Sequence, residues 1–143
     1  MRKLLLILTL CVGMCACSGD KPKSVAENRQ TKKDVVEVLY FYGAQRCATC
    51  MAIEKDARAL VETAYAEPMR SGKLVFRLVD ITKNEALADR YEVSWSALIL
   101  VDYDKNGKES ATNLTEFAFG NVRNAPDKFK EGLSAKIAEM LNN

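Results

Sequence analysis

The sequence predicts an α/β fold in which a central four-stranded mixed sheet is flanked by helices, in the order β-α-β-α-β-β-α. Three observations predict it. Val35–Tyr42 reads Val-Val-Glu-Val-Leu-Tyr-Phe-Tyr, rich in β-branched and aromatic residues, which suits a central strand covered on both faces. A helical pattern starts at Cys47 and places Cys50, Ile53, Ala57, Leu60, Val61 and Ala64 on one face. Further on, Asn106-Gly107 separates two strand-like runs, and that dipeptide is the strongest short hairpin signal.

The remaining elements follow in order. Gly43 breaks the first strand, and the charges of the first helix (Glu54, Lys55, Asp56, Arg58, Glu62) fall off its apolar face. Pro68 and Gly72 mark that helix's end and the return loop. Residues 74–81 read as a second apolar strand, 84–91 as a short helix, Ala97–Tyr103 as a third strand and 111–119 as a fourth. Pro126 opens a last helix with Phe129, Leu133, Ile137 and Leu141 at spacings of four. Alternation at the start predicts parallel strands joined by crossover helices, and the hairpin adds an antiparallel edge. No internal repeat is visible.

The N-terminus reads as a targeting segment. Arg2 and Lys3 precede an apolar run over residues 4–14, which suits a signal peptide and is too short to span a bilayer. The run ends in Met14-Cys15-Ala16-Cys17, which resembles a bacterial lipobox. That resemblance implies cleavage after Ala16 and lipidation of Cys17. Met14 stands where the pattern usually has Leu; Cys15 and Cys11 fit less well because Met14 and Leu10 precede them. The plainer reading is a secretory peptide with an incidental cysteine. Residues 18–33 hold Ser18, Gly19, Pro22 and Ser24 with many charges and no apolar period, as a linker would. The expected organisation is a signal peptide over 1–16, a lipidated cysteine with linker over 17–33, and one domain over 34–143. The anchor would sit in a bacterial membrane of the cell envelope, with the domain facing the periplasm.

Composition narrows the chemistry. With no histidine among 143 residues, every mechanism needing an imidazole base is excluded. The formal charge is +2, and removal of Arg2 and Lys3 would leave the basic residues equal to the 19 acidic ones. Such a balance offers little general steering toward charged partners. No basic stripe interleaved with aromatics points to nucleic acid. Of the five cysteines, Cys11 and Cys15 would leave with the leader and Cys17 would carry lipid. Cys47 and Cys50 would then be the only free thiols, and an even pair in an exported protein can form a disulfide.

Two cysteines three apart share one side of a helix's first turn, so a disulfide between them opens and closes with little backbone movement. The first sits where backbone N–H groups are unpaired and the helix dipole is positive. Both effects favour the thiolate, and thiols in such places fall from about 8.5 to roughly 3.5–7.5. Arg46 adds positive charge directly before Cys47. Cys50 lies on the apolar face and is expected to be the less accessible of the two. Thiol–disulfide exchange needs neither histidine nor metal.

The stretch Leu-Tyr-Phe-Tyr-Gly-Ala-Gln-Arg-Cys-Ala-Thr-Cys, residues 39–50, resembles the strand-loop-helix of the thioredoxin superfamily, where an aromatic-rich strand precedes Trp-Cys-Gly-Pro-Cys. The element order from residue 34 onward fits the same thioredoxin-like fold. The resemblance implies redox activity with Cys47 as the attacking thiol and Cys50 as the resolving one, the redox-active disulfide standing in place of any cofactor. Three departures are visible. Ala48-Thr49 replaces Gly-Pro, so the family's reducing poise does not carry over. Thioredoxins bury an acidic residue in the strand before the motif, where this chain has Tyr40 or Phe41 depending on the placement of one extra loop residue. The family's cis-proline before the third strand is matched best by Ser96, and a non-proline cis bond costs about 2.5–4 kcal/mol, so a trans loop is expected. Trp95 and Ser96 of that loop are candidate substrate contacts.

Other signals carry less. One Cys-x-x-C could be half of a zinc site, but four ligands are usual and only two are at hand. A static bridge across three residues constrains little chain entropy and would be a poor stabiliser. Asp102, Asp104 and Asn106 match the first half of a calcium loop, but Asn113 stands where the bidentate Glu belongs and the flanks read as strands. Asn113-Leu-Thr115 matches a glycosylation sequon by pattern alone. The expected function is a membrane-anchored thiol–disulfide oxidoreductase. It would act as a monomer on thiols or disulfides of exported proteins, or exchange with a membrane electron donor. The competing reading is a non-catalytic binding module on the same scaffold, with a vestigial or structural disulfide.

Overall fold

A computed structural model describes residues 32–143. The expected leader, the lipidation site Cys17 and nearly all of the expected linker lie outside the described residues. The elements are β1 (Val35–Tyr42), α1 (Ala48–Ala64), α2 (Ala66–Arg70), β2 (Leu74–Asp80), α3 (Glu85–Arg90), β3 (Ala97–Tyr103), β4 (Glu109–Asn113), α4 (Thr115–Asn121) and α5 (Pro126–Leu141). The four strands form one mixed sheet in the order β2-β1-β3-β4.

β1 is the central strand because both of its faces are covered. Alternate residues of a strand point to opposite sides. Val36, Val38 and Tyr40 pack with Ile53, Ala57 and Val61 of α1 and with Phe129, Leu133 and Ile137 of α5. Leu39 and Phe41 pack on the other face with Leu87 and Ala88 of α3. Burying each large aliphatic side chain stabilises the fold by about 1.5–3 kcal/mol, so Ile53 and Val61 bind α1 firmly to the sheet. Glu37 is the exception in the apolar run. It is buried, and both of its oxygens accept from Lys32 Nζ at 2.8 Å, with Arg77 3.6 Å away. Lys32, expected to be linker, is therefore docked, and its ammonium also lies 5.2 Å from the Tyr103 ring centroid.

β1 and β2 are parallel, as the alternation predicts, but β3 runs antiparallel to β1. The registers show where the chain goes after β2: Tyr42 pairs with Asp80 and Phe41 with Ala97, so β3 begins at the end of the sheet where β1 and β2 finish. β2 itself is an edge strand with Leu78 exposed, less covered than its apolar sequence predicts.

Three expectations change at element ends. The strand expected over 111–119 is instead β4, ending at Asn113, followed by helix α4. Asn113 Oδ1 accepts from the Thr115 N–H at 2.9 Å, and the Thr115 hydroxyl oxygen accepts from the Leu98 N–H at 3.1 Å. These bonds turn the chain off the sheet, and Ala118 and Val122, four apart, are buried as a helix face requires. The first helix stops at Ala64, which is exposed, and Pro68 lies inside the separate short helix α2 rather than past a helix end. At the end of α5 the buried residue is Met140, while Leu141 is only partly covered.

The calcium-loop match is a hairpin turn. Asp104 Oδ1 accepts backbone N–H groups of Asn106 and Lys108 at 2.8 and 2.9 Å, and Gly107 supplies the positive φ of 83° that the turn needs.

Candidate active site

The cysteines stand where β1 ends and α1 begins. Cys47 is the N-cap of α1, extended at φ −76° and ψ 162°, and Cys50 closes the first turn. The two form a disulfide with their Cα atoms 5.0 Å apart. Cys47 Sγ accepts the Cys50 N–H at 3.0 Å, so a sulfur takes the place that a Ser or Asp oxygen usually fills at a helix start. Cys47 is exposed and Cys50 is 5% exposed, as the apolar face of the helix requires. Cys47 is therefore the more accessible of the two.

A groove of about 650 Å³ runs beside the pair, lined by Arg46, Cys47, Cys50, Ile81, Trp95 and Ser96 among others. Both candidate substrate-loop residues thus share a surface with the cysteines. Trp95 is 57% exposed, and its ring is tilted against Phe119 of α4 with centroids 5.0 Å apart. The helix α4, unforeseen in the sequence, supports this tryptophan. Ser96 is buried directly before β3.

Tyr40, rather than Phe41, lies beneath the motif. Its ring is fully buried on the α1 face, and its hydroxyl donates to the Cys50 carbonyl at 2.7 Å. Phe41 faces the other side and meets Tyr91 edge-on. Burial pushes the Tyr40 phenol above its ordinary range, with the Ser96 side chain and Arg46 opposing the shift, so the hydroxyl stays protonated and acts as a donor. No carboxylate replaces it at this position.

Arg46 does not present a free charge to Cys47. Its guanidinium lies over the Tyr42 ring, 4.2 Å from the centroid, and pairs with Glu54 of α1. Glu54 also meets Arg58 at 3.5 Å. The full charge expected from the sequence is thus partly offset. The role of Glu54 was not legible at the sequence level, where it reads only as a charge off the apolar face; its place two turns from Arg46's loop was the available signal.

The chain matches no protein-family model. The Trx4 domain of ERdj5 superposes with a TM-score of 0.51 at 15% identity, over 76% of this chain and 81% of that domain. The fold is thioredoxin-like. A smaller overlap, with a TM-score of 0.47 at 20% identity, exists with Trxlp from Edwardsiella tarda, over 70% of this chain and 82% of that one. In sequence, mouse protein disulfide-isomerase A5 is 33% identical over 82 residues. That match takes in 57% of this chain and spans only 15% of the mouse protein. The thioredoxin-like chain therefore carries its Cys-x-x-C disulfide at the start of α1, with Tyr40 beneath it, Ser96 before β3 and Trp95 on the rim.

Proposed function

We propose that this protein is a membrane-anchored thiol–disulfide oxidoreductase that acts on thiols or disulfides of envelope proteins. The observation that carries the reading is the asymmetry of the pair: an exposed Cys47 capping α1 and a buried Cys50 one turn on. The helix N-terminus stabilises a thiolate at Cys47, the form that attacks a disulfide. In the reducing direction, Cys47 sulfur bonds to one sulfur of a partner disulfide and the other leaves as thiolate, taking a proton from solvent. Cys50 then attacks Cys47, the Cys47–partner bond breaks, and the second partner sulfur leaves. Two electrons pass from the protein dithiol to the partner. The oxidising direction is the reverse.

The partner is a polypeptide. The exposed indole of Trp95 beside the groove offers an apolar contact to residues flanking a partner cysteine. The anchor is Cys17, placed upstream of the domain by the lipobox resemblance. Lys32 docks near Glu37 and Tyr103, where β1 starts, and the cysteines lie where it ends, roughly 26 Å along the strand.

One observation favours a second reading, a binding module with an idle disulfide: Tyr40 stands where a proton-accepting carboxylate would serve Cys50. The Cys50→Ser variant separates the two. Exchange predicts covalent partners trapped on Cys47 and released by reductant. Identical non-covalent partners for Cys50→Ser and Cys47→Ser, with no covalent adduct, would establish binding instead.

A further inference from the structure

We infer that Tyr40 is a positioning residue for the resolving step, its buried hydroxyl fixing the Cys50 peptide so that the Cys50 sulfur can reach Cys47 in line. The inference rests on the exchange reading above. It starts from the hydrogen bond of Tyr40 to the Cys50 carbonyl at 2.7 Å. That carbonyl belongs to the first turn of α1, where N–H groups and not carbonyls lack helical partners, so the tyrosine adds to the helix's own bond. A second donor from the sheet locks the turn to β1. Tyr40 is fully buried, in the same core cluster as Ile53 and Leu98. Ser96, also buried, ends the loop before β3 and lines the same groove as Cys50.

The two steps of exchange use this contact differently. Attack needs only the exposed Cys47 sulfur at the helix cap. Resolution requires the Cys50 thiolate to approach Cys47 opposite the leaving partner sulfur, forming the Cys47–Cys50 bond as the Cys47–partner bond breaks. The Cys50 proton passes to solvent, and the partner thiolate takes one back. With the Cys50 peptide fixed, only the side-chain rotation remains to be set, which lowers the orientational cost of that step. A tyrosine hydroxyl cannot accept the proton as a carboxylate does, so its contribution is geometric.

The test uses the full chain, reduced and mixed with an excess of a cysteine-bridged peptide. Rapid acid quench, alkylation and mass spectrometry count reduced protein, mixed disulfide and oxidised protein over time. Tyr40→Phe keeps the ring and removes the hydroxyl. Attack is expected within twofold of the unsubstituted chain, while resolution slows about five- to tenfold, the scale of one lost buried hydrogen bond, so mixed disulfide accumulates. Equal slowing of both steps, or of neither, overturns the inference. Should Tyr40→Phe not fold, NMR of the reduced unsubstituted chain must show the Tyr40 hydroxyl proton shielded from solvent exchange, and its absence overturns the inference. If the unsubstituted chain neither forms mixed disulfide nor converts to the oxidised form as the peptide is reduced, the exchange reading falls and this inference with it. An adduct that forms and resolves normally in Tyr40→Phe defeats this inference alone.

Discussion

The guanidinium of Arg46 is ion-paired with the Glu54 carboxylate across the loop-to-helix junction, one residue from Cys47. The pair is partly exposed and is worth about 0.2–1 kcal/mol. Its consequence is electrostatic: Glu54 offsets a positive charge that would otherwise favour the Cys47 thiolate. In Glu54→Gln the reduced chain should react with iodoacetamide at Cys47 about two- to threefold faster at neutral pH, since each 1.36 kcal/mol is tenfold. Arg46→Gln should react more slowly than the parent. Alkylation rates read by mass spectrometry check both signs.

Trp95 is exposed, so its loss should leave stability nearly unchanged while weakening recognition of polypeptides. Trp95→Ala is expected to lower kcat/KM for a peptide disulfide about tenfold, the scale of one aromatic anchor at an interface. Exchange with a small disulfide such as hydroxyethyl disulfide should change less than twofold. Equal losses on both substrates would instead place Trp95 in maintaining the site.

Gly132 lies in α5 where a Cβ would overlap the Phe117 ring of α4, with the Cε1 and Cε2 atoms at 3.0 and 3.1 Å. The ring is held by stacking on Phe129, centroids 6.3 Å apart. Alanine in a helix interior normally gains up to about 1 kcal/mol over glycine. Here overpacking costs about 1–3 kcal/mol and should outweigh it. Gly132→Ala should therefore lower stability in urea unfolding by about 1–2 kcal/mol, and a Gly132→Ala, Phe117→Ala double variant should recover part of the helix gain.

Where the sequence was legible, one physical signal dominated. Val35–Tyr42 could only be a strand covered on both sides, and the spacing of Cys50, Ile53, Ala57 and Val61 placed Cys50 inward. The turn after β4 was hidden because Phe117-Ala118-Phe119 is a short apolar run that suits strand or helix equally. What decides it is tertiary: Thr115 reaching Leu98, and Ala118 meeting the core. The direction of β3 was hidden for a similar reason, since pattern reveals strands and only their pairing reveals their sense. At the site, the motif marked both cysteines and the family's cis-proline position marked Trp95 and Ser96, and all four line one groove. The Arg46–Glu54 pair, the Tyr40 hydrogen bond and the Phe119 support depend on side chains meeting across elements, which spacing does not encode.

The central claim is that Cys47–Cys50 cycles between dithiol and disulfide. Equilibrating the full chain across glutathione ratios, then alkylating and weighing it, measures this most directly. The account predicts a single two-electron transition of the pair at a poise between those of the strongly reducing and strongly oxidising members of such proteins, about −270 to −120 mV. A pair that stays fully oxidised throughout that span, down to below about −300 mV where structural disulfides lie, would contradict it.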